Sequence, residues 1–392
     1  MTPSPEQESI LAAHCAQARY VWNLAVEQHS HWRPGRKSAP GYLDQCKQLT
    51  AARAENAWLR AGSQTVQQQA LRDFAQAMEG FFHRTHGRPL WRKAGRDEGF
   101  CVVGRHARQW DVRRVSRHVG EVWVPKAGWV RFRWSRQVPI GVKSYRVTHD
   151  RADRWHVAFA DIPAAIIGPG SGEVVGIDRG VAVSAVLSTG EKLCVPGLTG
   201  PEQQRLAQLQ RKLARAQRGS IRRGRVRLAI AQLKARETDR RKDWAEKTST
   251  DLARRFDVIR VERLDIQRMT RSAKGTIRQP GRNVRAKAGL NRGILRSGWG
   301  LLVRRLEDKA PGRVEKVNPA YTSQRCSACG HIAAGSRESQ ALYRCVACNF
   351  ACNADVNAAR NIAAGHAVTA RGRSPLGGRM NREPQLLTSL TE

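Results

Sequence analysis

Two cysteine pairs, Cys326-Ser-Ala-Cys329 and Cys345-Val-Ala-Cys348, stand fifteen residues apart. Four thiolates at this spacing can close a tetrahedral site around zinc, and four protein ligands leave no open coordination position for chemistry. The metal therefore reads as a staple. Seven residues past the last thiol comes the carboxylate Asp355, at the start of a helical pattern. Two further acids hold comparable places. Asp178 ends the apolar run Val174-Val-Gly-Ile-Asp178, and Glu262 ends Phe256-Asp-Val-Ile-Arg-Val-Glu262. Acids at the ends of hydrophobic strands sit on the rim of a sheet, where a substrate can reach them. Three carboxylates gathered there would repel one another and stay partly protonated without a cation. Magnesium, which prefers carboxylate and water oxygens, resolves that conflict; manganese can substitute. Two such ions, roughly 3.5–4 Å apart, can clamp the attacking water and the leaving 3′ oxygen of a phosphodiester. Taken singly, each acid has the ordinary reading of a strand-end or N-cap residue. The trio gains its meaning from the zinc staple and from the charge of the chain.

That charge is large. The 392 residues carry 69 Lys and Arg against 33 Asp and Glu, a formal net charge of +36. Such an excess implies a polyanionic partner, meaning nucleic acid. The basic residues run through every segment and no amphipathic anchor stands out, which argues against a membrane-surface protein. Nine cysteines, five of them scattered outside the knuckles (Cys15, Cys46, Cys101, Cys194 and Cys352), suit a reducing cytoplasm better than a disulfide framework. Cys352 reads as a small packed residue beside the zinc site. No apolar run approaches a membrane span and no signal peptide precedes the first helix, so the expected place is the cytoplasm, on the nucleoid of a prokaryote.

The elements that must position these residues fall into segments. Ser4-Pro5-Glu6-Gln7 is a capping box with Pro at the first helical position. Ile10, Leu11, Cys15, Ala18, Val21, Trp22 and Ala25 follow at helical spacing, and a second face recurs at Val66, Ala70, Phe74, Met78 and Phe81. Residues 1–86 thus read as a helical lobe, with Trp22, Phe74 and Phe81 as core. Residues 87–167 switch to short alternating runs, 121–124, 130–134, 144–149 and 155–160, with turns at Pro125–Gly128 and Asp150–Asp153. In the second run Arg131 and Arg133 share one face while Val130, Phe132 and Trp134 share the other. A sheet with that basic outer face can grip a phosphate backbone, or can simply be solvated. Gly168–Gly172 reads as a linker. Residues 201–250 predict an antiparallel helical hairpin broken between Gly219 and Gly224, and 270–298 a long basic, Gly-rich loop with little periodicity. A helix opens at Asp355, and past Gly365 the Gly, Arg, Pro and Ser content predicts a disordered tail over 367–392.

With these residues in place, the sequence resembles the TnpB family, insertion-sequence-encoded proteins related to the type V CRISPR effector nucleases. The matching stretches are Gly176-Ile-Asp178-Arg-Gly180, Arg240-Arg-Lys-Asp243, Val261-Glu262-Arg-Leu264 with Met269, Pro319-Ala-Tyr-Thr-Ser323, both cysteine knuckles, and Asn353-Ala-Asp-Val-Asn-Ala-Ala359 with Asn361. Weaker matches run through 2–7, 19–23 and 81–89. The resemblance implies a mixed α/β multidomain protein: a helical recognition lobe (1–86), a β-rich wedge domain (87–167) and an RNase H-like RuvC nuclease domain (173–317). Within the last it implies an inserted helical hairpin (201–250) and a mobile lid loop (270–298). A zinc-binding insertion or zinc ribbon (318–352) and a C-terminal RuvC helix (353–366) would complete it. It further implies Asp178, Glu262 and Asp355 as the metal-binding catalytic triad, and DNA cleavage directed by an RNA made from the element's own end. The expected partners are a guide RNA and target double-stranded DNA, cut beside a short flanking motif. Two other readings stay open: a catalytically silent RNA-guided DNA-binding regulator, and an unguided structure-specific nuclease. The sequence departs from the family pattern in three places. The short basic strand that usually precedes the Thr-Pro-Ser-Pro segment is absent, which bears on the completeness of the wedge domain. Asn349 stands where a glycine commonly follows the fourth cysteine, and Asn353-Ala354 replaces a frequent Asp-Arg pair.

Overall fold

A computed structural model of the chain describes residues 1–31, 38–96, 98–104 and 110–365; the tail expected over 367–392 lies outside them. The described chain forms two compact units. The first comprises Met1–Pro163 and Leu198–Asp239, and the second Ala164–Gly197 and the chain from Arg240 onward.

The first unit opens with α1 (Pro5–Ser30), whose Ser4 and Gln7 form the predicted reciprocal capping box. Then come α2 (Tyr42–Glu55), α3 (Ala57–Ala61) and α4 (Gln64–Phe82). Six strands follow: β1 (Gly99–Val103), β2 (Val112–Arg114), β3 (Val119–Val124), β4 (Gly128–Arg133), β5 (Ser144–His149) and β6 (Trp155–Phe159). They make two antiparallel sheets, β1-β5-β6 and β2-β3-β4. The turn between β3 and β4 is set by Lys126 and Gly128, both at positive φ. The sequence divides this region into a helical lobe and a β domain, whereas one continuous apolar core joins Leu11, Trp22, Phe74, Phe100, Val130 and Trp155. The helices pack on one another and on the strands, so the two parts share that core. Trp22 and Phe74 meet edge to face at 5.5 Å inside this core, as expected of packing residues. The unit also holds α5 (Gly200–Arg215), with a Thr199/Glu202 capping box. Arg223 closes its far end by donating to the carbonyls of Leu213 and Ala216 at 2.7 and 2.9 Å.

The second unit is built on a five-stranded sheet: β7 (Val174–Asp178), β8 (Ala185–Leu187), β9 (Lys192–Leu193), β10 (Val258–Glu262) and β11 (Val314–Val317), in the order β11-β10-β7-β8-β9. On one side β10 lies parallel to β7, and β11 parallel to β10; on the other β8 and β9 run antiparallel. Helix α6 (Ile221–Arg255) begins in the first unit and ends in the second, five residues beyond the predicted end of the hairpin. Its Leu252 joins Val175, Ile177, Ile259, Val261, Leu302 and Leu306 in the core. The expected linker at 168–172 is pinned rather than free. Asp257 accepts from the backbone N–H groups of Gly170 and Gly172 at 2.9 and 2.6 Å, which holds the chain at the foot of β7.

The segment 270–298, expected as one long loop, is not irregular throughout. After the short helix α7 (Ile266–Met269), residues 284–296 form helix α8 (Val284–Arg296) and only the first half of the segment is irregular. Gly289, Gly293 and the Arg and Lys residues hide the pattern, yet Ile294 is buried. Lys287 and Asn291 tie the helix back by donating to the carbonyls of Met269 and Thr270 at 2.6 and 2.9 Å. Helix α9 (Trp299–Lys309) follows and buries Trp299, Leu302, Val303 and Leu306. The unit closes with the β12 (Leu342–Arg344)/β13 (Ala351–Asn353) hairpin and α10 (Ala354–Ala363). No described helix is long and apolar enough to cross a membrane.

Candidate active site and cysteine centre

Each of the three acids is placed by a local feature of the sequence. Asp178 is the last residue of the central strand β7, which is buried from Val175 to Ile177. Glu262 ends β10, the parallel neighbour of β7, so both acids leave the sheet at the same end. Asp355 reaches that end from the first turn of α10. The N-cap of this helix is an amide and not an acid: the Asn353 side chain accepts from the backbone N–H of Asp355 and Val356 at 3.1 and 3.2 Å. The Asp355 carboxylate is therefore released from the capping role that its position alone would suggest.

Helix α10 can lie against β7 because residue 176 is glycine. A Cβ there would sit 2.0 Å from the Ala359 carbonyl oxygen and 2.3 Å from the Ala363 nitrogen. Two asparagines on the same helix lock it to the chain leading into the first knuckle. Asn357 Nδ2 donates to the Arg325 carbonyl at 2.7 Å and its Oδ1 accepts from the Ser327 N–H at 2.9 Å. Asn361 Nδ2 donates to the carbonyls of Thr322 and Arg325 at 3.0 and 2.7 Å. Thr322 in turn donates its hydroxyl to Glu262 Oε1 at 2.6 Å. One chain of contacts thus runs from α10 through Asn361 and Thr322 to the second acid.

The electrostatics agree with convergence. Asp178 is pushed up to about 8, first by burial and then by the charges of Glu262 and Asp355, against the opposing influence of Arg337. Asp355 is also raised by burial, with Arg337 and Lys192 pulling it the other way. Arg337 Nη2 lies 3.6 Å from Asp355 Oδ1. The buried Arg179 guanidinium donates from Nη2 to the Glu262 carbonyl, tying the end of β10 to the residue after Asp178. Among the described residues, the groups of three or more His, Cys, Asp or Glu with ligand atoms all within 4.8 Å are the four cysteines and Glu8/His149/Asp153. The ligand atoms of the three acids therefore do not all lie within 4.8 Å of one another.

The four cysteines meet as their spacing predicts. Cys326 Sγ lies 3.8 Å from Cys348 Sγ, and Cys329 Sγ 3.6 Å from Cys345 Sγ. Tetrahedral zinc with sulfur ligands at about 2.3 Å requires sulfur separations of about 3.8 Å, so the donor set fits that ion. Both knuckles are closed by backbone hydrogen bonds, Gly330 N–H to the Cys326 carbonyl and Asn349 N–H to the Cys345 carbonyl, each 2.9 Å. Gly330 and Asn349 both have positive φ, 79° and 57°. Asparagine is among the side chains that tolerate this region best, so the departure at Asn349 keeps the turn. The Cys345 thiol is drawn down to about 6, mainly by the Cys348 backbone N–H and with help from Ala347. Cys352 packs partly buried beside the cluster and is outside the ligand set.

On the first unit, β4 alternates as expected: Val130 and Phe132 are buried, and Arg131 and Arg133 are exposed. Arg131 is partly engaged, with its Nε 3.3 Å from Glu121 Oε1. Thr322, Asn357 and Asn361 lie within the matched motifs, but their spacing alone gives no sign of what they touch. Arg337 sits in no pattern at all; only the path of the segment between the knuckles brings it to Asp355.

Comparison with known proteins bears on both halves of the site. Residues 168–273, which carry Asp178 and Glu262, match a family described as "Probable transposase". Residues 299–362, which carry the cysteines and Asp355, match the "Cas12f1-like, TNB domain" family. The chain is 35% identical to the "Putative RNA-guided DNA endonuclease InsQ" of Escherichia coli (strain K12), over all of this chain and 97% of that protein. It is 30% identical to a "Putative RNA-guided DNA endonuclease" of Streptomyces pristinaespiralis, over 94% of this chain and 89% of that one. The fold is similar to that of a protein solved by cryo-EM as a Cas12f1-sgRNA-target DNA complex, with a TM-score of 0.50 and 14% identity over 92% of this chain and 83% of that chain. Similarity along the whole length, with both family matches falling on the segments that build the site, makes this chain a member of the TnpB family.

Proposed function

We propose that the protein is an RNA-guided DNA endonuclease that hydrolyses phosphodiesters at Asp178, Glu262 and Asp355. The observation that carries the reading is the gathering of three carboxylates at one end of one sheet, where Asp178 is pushed up to about 8. The strand order, with β7 at the centre and acids at the ends of β7 and β10, supports an RNase H-like RuvC domain. Asp178, Glu262 and Asp355 would hold two magnesium ions, or manganese in their place. When bound, the ions supply positive charge for the attacking water and for the leaving 3′ oxygen. The remaining residues set the geometry. Thr322 fixes the Glu262 carboxylate, Arg179 fixes the end of its strand, and Asn353 frees Asp355 by capping α10. Arg337 faces the site from beside Asp355 and offers a guanidinium to a scissile phosphate. Cys326, Cys329, Cys345 and Cys348 would hold a structural zinc that fixes where α10 begins.

The first unit is proposed as the surface for guide RNA, with helices at 1–86 and the β-rich part at 87–167 in the roles of recognition lobe and wedge. Arg131 and Arg133 would contact the phosphate backbone. All three acids are present and brought together, which disfavours the silent regulator. The test is cleavage by protein with its co-purified RNA. Asp178→Ala, Glu262→Ala and Asp355→Ala should each abolish cutting while binding persists. Exchanging the 3′ segment of the RNA should redirect the cut. Cleavage by the Asp178→Ala protein would overturn the site. The same cut made by RNA-free protein would replace the guided reading with the unguided nuclease.

A further inference from the structure

A second group of metal-ligand side chains lies on the first unit, which carries none of the three acids. Glu8 stands in the first turn of α1; His149 ends β5 and Asp153 sits in the turn before β6. One ligand atom from each lies within 4.8 Å of the others. Glu8 is remote in sequence from the other two, yet the group is oriented by more than its own contacts. The Trp155 ring stacks on the His149 imidazole, with centroids 4.3 Å apart and planes at 17°. The same indole donates its Nε1–H to Glu8 Oε1 at 3.2 Å. Trp155 is itself buried, so both ligands lean on a fixed support. Asp153 adopts a positive φ of 63°. Its Oδ1 lies 3.0 Å from His149 Nε2.

That separation is informative. Two ligands held at about 2.1 Å from one ion and at right angles stand about 3.0 Å apart. Without an ion that contact is a hydrogen bond, and an ion would replace it with the imidazole nitrogen and the carboxylate oxygen at nearly the same separation. One neutral imidazole and two carboxylates supply two negative charges in a chain whose net charge is +36. Arg154, the nearest basic residue in sequence, is turned away onto Asp150 and Asp239, at 2.8 and 2.7 Å. Glu8 and Asp153 are exposed, so water can complete a shell. Hard ions such as magnesium gain little from an imidazole, whereas first-row transition ions favour mixed nitrogen and oxygen donors.

We infer that Glu8, His149 and Asp153 form a binding site for one first-row divalent transition-metal ion, which clasps the first turn of α1 to the β5–β6 turn. The site shares no residue with the carboxylate centre or the cysteine centre, and the inference does not depend on the proposed nuclease chemistry.

The experiment uses the full chain carrying Asp178→Ala, which weakens competing binding at the three acids. Ni2+ is titrated calorimetrically with and without His149→Ala; the cysteines are common to both, so the difference isolates this site. The expected result is one Ni2+ per chain that weakens at least tenfold on loss of His149. Asp153→Asn and Glu8→Gln should each weaken it by about tenfold. Asparagine tolerates the positive φ at residue 153, so that variant remains informative if His149→Ala fails to fold. Ni2+ at a fixed excess should raise the melting temperature of the parent by a few degrees more than that of each variant. Equal stoichiometry and affinity with and without His149 would overturn the site, as would binding untouched by both carboxylate variants.

Discussion

Asp178 combines two demands that the proposed cations would reconcile. In the proposed site its place at the end of a buried strand would deliver it to substrate, and the same burial, with Glu262 and Asp355 nearby, drives its carboxyl up to about 8 from an ordinary 3.8. In the metal-free fold the protonated acid is preferred. Its contribution to stability is therefore present at pH below about 4 and lost as the pH rises through about 8. Asp178→Asn keeps the shape and removes the titration. In magnesium-free buffer its melting temperature should gain on the parent steadily between pH 4 and pH 8, and magnesium at pH 8 should narrow the gap by stabilising only the parent. A difference that stays flat with pH would mean that the Asp178 carboxyl is not raised in the fold. The supporting residues act by contact rather than by charge. Thr322 holds Glu262 by a hydrogen bond of 2.6 Å, and Asn361 holds the Thr322 carbonyl at 3.0 Å.

At the scale of elements, the close approach of α10 to β7 is what brings the third acid to the other two. Gly176 makes room for it, so Gly176→Ala should strain the contact against backbone that cannot move aside. Overpacking of this kind costs about 1–3 kcal/mol. Urea unfolding should show a loss at the upper end of that range, together with reduced cleavage. Gly224→Ala is the control. It lies in α6 with no atom within 4 Å of an added Cβ, and should gain up to about 1 kcal/mol from helix propensity. These elements were legible to different degrees. β7 and β10 announce themselves because an apolar run of strand length that ends on an acid fits a buried strand meeting the rim of its sheet, and the cysteine spacing left little freedom. β2 reads Val-Arg-Arg and shows one apolar residue, so its strand character comes from pairing with β3 and not from its own pattern. α8 was concealed by two internal glycines and a run of basic side chains, and its partners at Met269 and Thr270 are supplied by tertiary structure. Asn357 and Asn361 sit on a predicted helix, but a polar residue on a helix face says nothing about which carbonyls it will meet.

For the whole molecule, a charge of +36 must make nucleic-acid affinity strongly salt-dependent. Each neutralised phosphate adds about 0.9 to the slope of log affinity against log salt. Arg133 is exposed on β4, beside an Arg131 already shared with Glu121. Arg133→Ala should lower the slope by about one without altering which sequence is preferred, as read by anisotropy across a salt series. An unchanged slope would remove Arg133 from the interface. The order in which the units occur along the chain has a consequence for biosynthesis. Residues 1–163, the bulk of the first unit, leave the ribosome before any of the three acids. At about 5–20 residues per second, Asp355 follows Asp178 by roughly 10–35 s. Before that interval ends β7 and β10 can pair, but the face of β7 at Gly176 awaits its helix. If the proposed roles hold, the nascent protein could thus collect a nucleic-acid partner on its first unit before the proposed cutting centre is completed by docking of the last described helix.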